Sequence, residues 1–415
     1  MLEALESGVK GGRWYSLIDK ATRDGNLLAA WKQVKRNEGA PGVDHVTISE
    51  FERRQDDELS RLAEELTSGS YKPQAIRRVF IPKPGRPGEQ RPLGIPTVRD
   101  RVAQAATRNV LEPIFEVGFA EHSYGFRPKR GAKDALRHVR RAIDDGLVHV
   151  VDADLKGYFD SIPHDRLMEL VERRVSDQKV LRLVDQWLHQ RIMEDAATWT
   201  PTKGSPQGAV ISPLLANIYL DPLDHFVKNA GFEMVRYADD FVILCRSRAD
   251  AQAALDVVTE WVTQAGLLLH PDKTRLVDLS TGETFDFLGY EFHIDKQWLS
   301  KRSIRRFRDK VRTLTPRHAG RSLSAVIVDL NRVLKGWYGY FKHINAWMLK
   351  RLDAWIRVRL RAILYRYRRW KTHPKGARAN TWPVSFFTRA GLFSLAHAQR
   401  AEISRLRISL HPASR

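Results

Sequence analysis

An α+β fold with a split β-α-β sheet is what this sequence predicts, and two stretches carry the prediction. Residues 148–154 (VHVVDAD) form an apolar strand that ends in acid. Residues 233–237 and 241–245 are short apolar runs on either side of Ala238-Asp239-Asp240, the pattern of a tight hairpin with two carboxylates at its tip. Helical patterns lie between the two, within 164–190 and over 211–228. A helix at 249–265 and a strand at 274–278 follow, completing an arrangement in which the central strands carry acid at their ends.

The flanking elements read in order. Thr47-Ile48-Ser49-Glu50 is a capping box that opens a charged amphipathic helix running through Leu66. Residues 77–82 form a strand, and the Gly/Pro-rich run 84–88 forms a hairpin tip, as expected of a mobile basic finger. A helix spans 97–116. Beyond residue 300 come three helices, over 301–313, 322–341 and 345–371, with breaks at Thr315-Pro316 and His343-Ile344-Asn345. At 415 residues, 43% of them apolar, the chain exceeds the size of a single core, so two or more lobes are expected.

Charge is unevenly distributed. Residues 301–415 hold 28 Lys and Arg against 4 Asp and Glu, whereas the whole chain is only +20. Residues 1–300 are therefore slightly acidic, and all the net positive charge sits in the last quarter. Such a segment is suited to lie on phosphates, with salt-dependent binding. Arg357, Arg359, Arg361, Arg366, Arg368, Arg369 and Lys371 are its candidate contacts, while Trp337, Tyr340, Phe341 and Trp355 have the spacing of helical core. The single cysteine, Cys245, rules out disulfides within the chain and four-cysteine zinc sites, and is read as a small core residue. There is no signal-peptide pattern at 1–14 and no apolar run of transmembrane length, so a soluble cytoplasmic protein with no membrane partner is expected.

The acids suggest a chemistry. Joining a nucleotide to a 3′ end requires deprotonating a hydroxyl while stabilising a departing pyrophosphate, and two Mg²⁺ ions about 3.5–4 Å apart do both. Mg²⁺ keeps waters and substrate phosphates in its shell, so few protein carboxylates suffice. Asp154 and Asp239 are assigned as bridging ligands and Asp240 as accessory.

Further motifs occur in a fixed order: Asn37-Glu38-Gly39-Ala40-Pro41-Gly42-Val43-Asp44, Ile81-Pro82-Lys83-Pro84, Arg91-Pro92-Leu93-Gly94-Ile95-Pro96 and His122-Ser123-Tyr124-Gly125-Phe126-Arg127-Pro128. After the acidic strand come Ser205-Pro206-Gln207-Gly208-Ala209, Tyr237-Ala238-Asp239-Asp240, Pro271-Asp272-Lys273-Thr274 and Phe287-Leu288-Gly289-Tyr290-Glu291-Phe292. Over nearly its whole length the chain resembles the group II intron reverse transcriptase/maturase family. The family usually has Thr-Pro-Gln-Gly-Gly where this chain has Ser205 to Ala209, and its loop between Lys83 and Arg91 is slightly shorter.

The resemblance implies a right-hand polymerase fold. Residues 1–70 would be an N-terminal extension and the start of the fingers, 71–147 the fingers, 148–298 the palm, 299–372 the thumb (domain X), and 373–415 a basic tail able to touch DNA. It implies two Mg²⁺ ions, with Mn²⁺ as a substitute, and metal ligation by Asp154, Asp239, Asp240 and the Leu155 backbone. Lys83 and Arg91 would clamp the triphosphate of a dNTP, Gln207 would contact its sugar or base, and Phe159 would exclude a 2′-hydroxyl. Lys273 would protonate the leaving pyrophosphate. The implied partners are group II intron RNA, an RNA template with a DNA primer, and target DNA; a homodimer is compatible with the sequence. An HNH endonuclease module is expected to be absent, and a pre-existing 3′ end would then serve as primer. Two alternatives stand beside this reading: a host-adopted relative acting in DNA repair or defence, and a splicing-only RNA-binding protein with a vestigial palm.

Overall fold

The computed structural model describes residues 12–82, 88–316, 320–367 and 381–410. The chain forms two compact units, Met1–Glu283 and Thr284–Arg415.

The first unit opens with α1 (Ile18–Ala21), α2 (Asp24–Arg36), α3 (Ile48–Arg53) and α4 (Gln55–Ser68). In α2, Leu27, Ala30, Trp31 and Val34 recur at helical spacing and are buried. The capping box at Thr47 and Glu50 is formed. The helix expected to run on to Leu66 breaks at Arg54, however, so α3 and α4 are separate. The bend lets Phe51 of α3 pack on Trp31, ring centroids 4.7 Å apart, while Gln55 of α4 accepts a 2.8 Å hydrogen bond from the Trp31 indole.

The strands β1 (Ile76–Pro82) and β2 (Gln90–Ile95) pair antiparallel, as the finger pattern predicts. Residues 84–87 of the expected hairpin tip lie outside the described residues. Helix α5 (Val98–Glu116) is buried on most of its surface, and α6 (Ala132–Asp144), which the sequence reading did not identify, follows it. Next come β3 (His149–Asp154), α7 (Tyr158–Ser161), α8 (His164–Glu172) and α9 (Gln178–Leu188). Two short strands, β4 (Ile192–Glu194) and β5 (Ala197–Trp199), were also not foreseen; they extend the finger sheet to the order β2-β1-β4-β5. Three-residue strands leave almost no periodicity to detect.

Helix α10 (Ser212–Asn229), strands β6 (Glu233–Tyr237) and β7 (Asp240–Cys245), α11 (Arg248–Gln264) and β8 (Arg275–Asp278) complete this unit. Their sheet has the order β6-β7-β3-β8 with every pairing antiparallel, the split β-α-β expected. Alternation sends Val151, Ala153, Phe241 and Ile243 into the main core, which α8, α10 and α11 also line. Cys245 is buried, and burial pushes its thiol up to about 12, far from thiolate chemistry at neutral pH.

The second unit begins with a three-stranded antiparallel sheet of β9 (Phe285–Phe287), β10 (Tyr290–Phe292) and β11 (Gln297–Leu299). Helices α12 (Lys301–Leu314), α13 (Leu323–Phe341) and α14 (Ala346–Tyr367) follow at the expected positions. Phe307, Trp337 and Phe341 pack in series, with centroids 4.5 and 4.9 Å apart; Phe307 is buried, and Trp337 and Phe341 are half-buried against it. Part of the region read as a basic tail folds as α15 (Val384–Arg389) and α16 (Leu395–Leu410). The buried carboxylate of Asp353 on α14 accepts from the backbone N–H groups of Leu395 and Ala396 and from the Ser394 hydroxyl, capping α16. No helix among the described residues is long and apolar enough to cross a membrane.

One buried ion pair ties the β6–β7 hairpin to α10. Arg236 donates to both carboxylate oxygens of Asp224, with Nε to Oδ1 at 2.7 Å, and both side chains are nearly inaccessible. Removing one partner strands the other charge in the core. Arg236→Ala is therefore expected to destabilise the first unit by about 3–5 kcal/mol, measured by chemical denaturation. The double replacement Arg236→Met/Asp224→Leu should lose much less.

Candidate active site

The hairpin turn is only two residues long. Tyr237 pairs with Asp240, leaving Ala238 and Asp239 as the loop, and Ala238 takes φ +60°. A two-residue turn with positive φ matches the twist of its strands. The left-handed conformation is costly for alanine and must be held from outside. Arg236 Nη1 donates to the Ala238 carbonyl at 2.9 Å and to Asn217 Oδ1 at 3.1 Å, and Asn217 in turn donates to the Gly125 carbonyl at 2.8 Å. A Cβ on Gly125 would lie 2.3 Å from the Ala238 nitrogen, so only glycine allows this approach. The segment His122-Ser123-Tyr124 runs alongside β6 through hydrogen bonds with the Arg236 backbone. The Tyr124-Gly125-Phe126-Arg127 motif thus serves as the hairpin's buttress.

This support presents a row of acids. In the β3–β7 register Asp154 lies directly opposite Asp240, and Asp239 occupies the adjoining turn. The sequence pairing of Asp154 with the 239–240 hairpin is therefore realised. Asp152, which the sequence reading passed over, lies two residues along β3 on the same face as Asp154 and accepts a 3.1 Å hydrogen bond from Arg275 Nε. Burial, then repulsion from Asp152, Asp154 and Asp239, pushes Asp240 up to about 7. Asp239 is also raised, by burial first and by Asp154 next, with Arg91 and Lys273 opposing. Lys273 Nζ bonds directly to Asp154 Oδ2, so a cation already sits on this carboxylate.

Leu155 is held in a short antiparallel bridge. Lys156 N–H donates to the Leu268 carbonyl and His270 N–H to the Asp154 carbonyl, both at 2.8 Å, so the strand across the bridge does not engage Leu155's own carbonyl. That oxygen and two or three carboxylates are the donor set a hard divalent cation takes, and the Lys273 ammonium occupies one of those carboxylates in its place. Among the described residues no three His, Cys, Asp or Glu side chains converge closely enough to form a metal cage alone. Mg²⁺ does not need one, because waters and substrate phosphates fill most of its shell. The residues fit such an ion.

The remaining predicted residues fall on neighbouring elements. Phe159 lies on α7, half-buried against the core, its ring edge-on to Tyr158 at 5.5 Å. Gln207 donates to Asp160 Oδ2 at 3.3 Å, and its carbonyl accepts from Gly94 N–H of β2 at 2.7 Å. Gly208 takes φ +111° and Ala209 has no positive φ, so alanine in place of the family's second glycine costs no backbone strain. Arg91 lies opposite Ile81 and is exposed. Lys83 lies outside the described residues, as do Arg368, Arg369 and Lys371. In the second unit Arg366 is exposed, and Arg357 is half-buried, its pKa lowered by that burial. Arg361 gives two donors to the Trp382 carbonyl and Arg359 binds Thr315, so both have structural employment.

Residues 81–292 match the family model described as reverse transcriptase (RNA-dependent DNA polymerase), and residues 304–382 match the group II intron maturase-specific domain. The chain belongs to the group II intron reverse transcriptase/maturase family of RNA-directed DNA polymerases. It is 34% identical over 289 residues to Protein YkfC of Escherichia coli (strain K12), covering 60% of this chain and 75% of that protein. It is 37% identical over 200 residues to the group II intron-encoded protein LtrA of Lactococcus lactis subsp. cremoris, covering 48% of this chain and 33% of LtrA. A chain from a partial Cas6-RT-Cas1–Cas2 complex aligns over 60% of this chain and 41% of its own length, with TM-score 0.38 and 24% identity.

The raised carboxyl makes stability depend on pH. Asp240 keeps its proton in the folded protein at pH values where the unfolded chain has lost it, so its contribution is greatest at low pH and declines as pH climbs from about 4 towards 7. Thermal melts in chelator should therefore show the melting temperature falling across this window. Asp240→Asn should flatten the fall, and added Mg²⁺ should raise the melting temperature more at about pH 8 than at about pH 5. A decline of equal slope in Asp240→Asn would assign it to other groups.

Proposed function

We propose that this protein copies group II intron RNA into DNA and assists the splicing of that intron. The observation that carries the reading is the β3–β7 register, which sets Asp154 against Asp240 beside the Asp239 turn in a chain of this family. Asp154, Asp239, Asp240 and the Leu155 carbonyl would hold Mg²⁺, with Mn²⁺ as substitute. Two such ions held there would supply acidification of the primer's 3′-hydroxyl and charge stabilisation for the departing pyrophosphate.

The other residues have distinct tasks. Lys83 and Arg91 bind the triphosphate of the incoming dNTP, a point charge and a bidentate fork. Gln207 meets the nucleotide's sugar or base. Phe159 stands where a 2′-hydroxyl would protrude. Lys273 orients Asp154 through their ion pair and supplies a proton-bearing ammonium at the site. Arg366 and the basic residues after it meet RNA phosphates, and the excess of positive charge beyond residue 300 supports that assignment.

Two replacements test the site. Asp239→Ala should cut extension of a DNA primer on an RNA template by roughly 10³-fold or more, with intron RNA binding kept. Extension at the wild-type rate would remove the metal assignment. Phe159→Ala should raise the relative use of ribonucleotides by at least about tenfold, read from single-nucleotide incorporation; unchanged sugar selectivity would place the gate elsewhere.

A further inference from the structure

Two histidines of the first unit face each other. His164 opens α8 and is buried, while His189 follows the last turn of α9 and is exposed. His164 Nδ1 and His189 Nε2 are 3.2 Å apart, with the rings at 83° to one another and their centroids 4.6 Å apart. The other two ring nitrogens are already committed. His164 Nε2 lies 2.7 Å from the Gly204 carbonyl, and His189 Nδ1 lies 3.0 Å from the Asp185 carbonyl and 3.1 Å from the Asp185 carboxylate.

Those partners fix where the protons are. Carbonyl and carboxylate oxygens only accept, so His164 Nε2 and His189 Nδ1 must each carry a hydrogen. In the neutral rings the two facing nitrogens are then both lone pairs. Burial, the largest influence, holds the His164 ring below the usual histidine range and so favours its uncharged form. Two lone pairs at this separation repel unless an electrophile lies between them, either a shared proton or a metal ion. Two nitrogens bound to one tetrahedral zinc at about 2.0–2.1 Å stand about 3.3 Å apart, close to the spacing found here. Metal-ligating histidines donate their other N–H to a carbonyl or carboxylate, and both rings have that support.

The surroundings admit an ion. Both rings line an open cleft of about 830 Å³, whose other charged residues are Asp165, Glu172 and Asp185 against Arg182 and Lys203. Three acids against two bases leave the cleft slightly negative, and its width leaves room for the waters that complete a four-coordinate shell. The two ring nitrogens are the whole protein contribution. Mg²⁺ takes oxygen donors, so an imidazole pair selects zinc and its neighbours instead.

We propose that His164 and His189 hold one divalent transition-metal ion of the zinc class, at a site separate from the carboxylates of β3 and β7. The ion would tie the start of α8 to the end of α9. Through the bond from His164 to Gly204 it would also brace the beginning of the Ser205-Pro206-Gln207 loop. The inference does not rest on the polymerase reading.

Calorimetric titration of the full chain with Zn²⁺, in saturating Mg²⁺ so that oxygen-donor sites are filled, tests it. Wild type should bind one Zn²⁺ ion, more weakly at about pH 6 than at about pH 8 because protons compete for the ring nitrogens. Asp185→Asn, which removes only the charge behind the His189 ring, should weaken binding roughly 10-fold, and His189→Ala by at least that factor. Zn²⁺ should raise the melting temperature of the wild type and leave that of His189→Ala unchanged. One equivalent of Cu²⁺ should show electron-paramagnetic coupling to two imidazole nitrogens in the wild type and lose it in His189→Ala. No Zn²⁺ binding by the wild type would leave a shared proton as the occupant and overturn the inference. Equal affinity in His189→Ala, or affinity that does not fall with pH, would place the ion elsewhere and overturn it too.

Discussion

The carboxylates of Asp152, Asp154, Asp239 and Asp240 repel one another, and the backbone that holds them together is anchored by the buried pair of Arg236 and Asp224. Without a cation, burial first and repulsion second drive Asp240 up to about 7. The fold tolerates this because the hairpin is fixed from below. Arg236 spends its donors on Asp224, Asn217 and the Ala238 carbonyl, and Asn217 passes the restraint on to Gly125. A buried ion pair is not a cheap way to gain stability. Its use here is geometric, since it locks an alanine in a left-handed turn and thereby fixes where Asp239 points.

The two units divide the work along lines drawn by charge. The first is slightly acidic overall and concentrates its carboxylates at strand ends. The second carries the basic excess, much of it on helices whose apolar faces are filled by aromatic residues. Basic residues there do not all point to a ligand. Arg359 and Arg361 satisfy carbonyls, which strengthens the unit that presents the others.

Much of this was legible in the residues themselves. Strand 149–154 announced itself through an apolar run ending in acid and strand 240–245 through one that follows two acids, while the capping box of Thr47 and Glu50 marked a helix start. The approach of Asp154 to the 239–240 hairpin was expected from the motifs, whereas the register that sets it directly opposite Asp240, the first residue of β7, came only with the structure. What escaped notice has physical reasons. β4 and β5 are three residues each and gain their stability from pairing with distant β1. The break at Arg54 is imposed by Trp31, some twenty residues away in sequence. Asp152 was passed over because its partner Arg275, on β8, is distant in sequence and meets it only through strand pairing. Arg236 did leave a trace, an arginine in the otherwise apolar stretch Met234-Val235, and a buried acid on α10 was its predictable partner.

The most direct measurement is anomalous scattering from Mn²⁺ in crystals of the complex with an RNA template, a DNA primer and a dNTP. Manganese is expected at the carboxylates of Asp154 and Asp239, which with the Leu155 carbonyl would hold it beside the primer's 3′ end. Manganese found only on other residues, with these carboxylates bound to side chains alone, would contradict it.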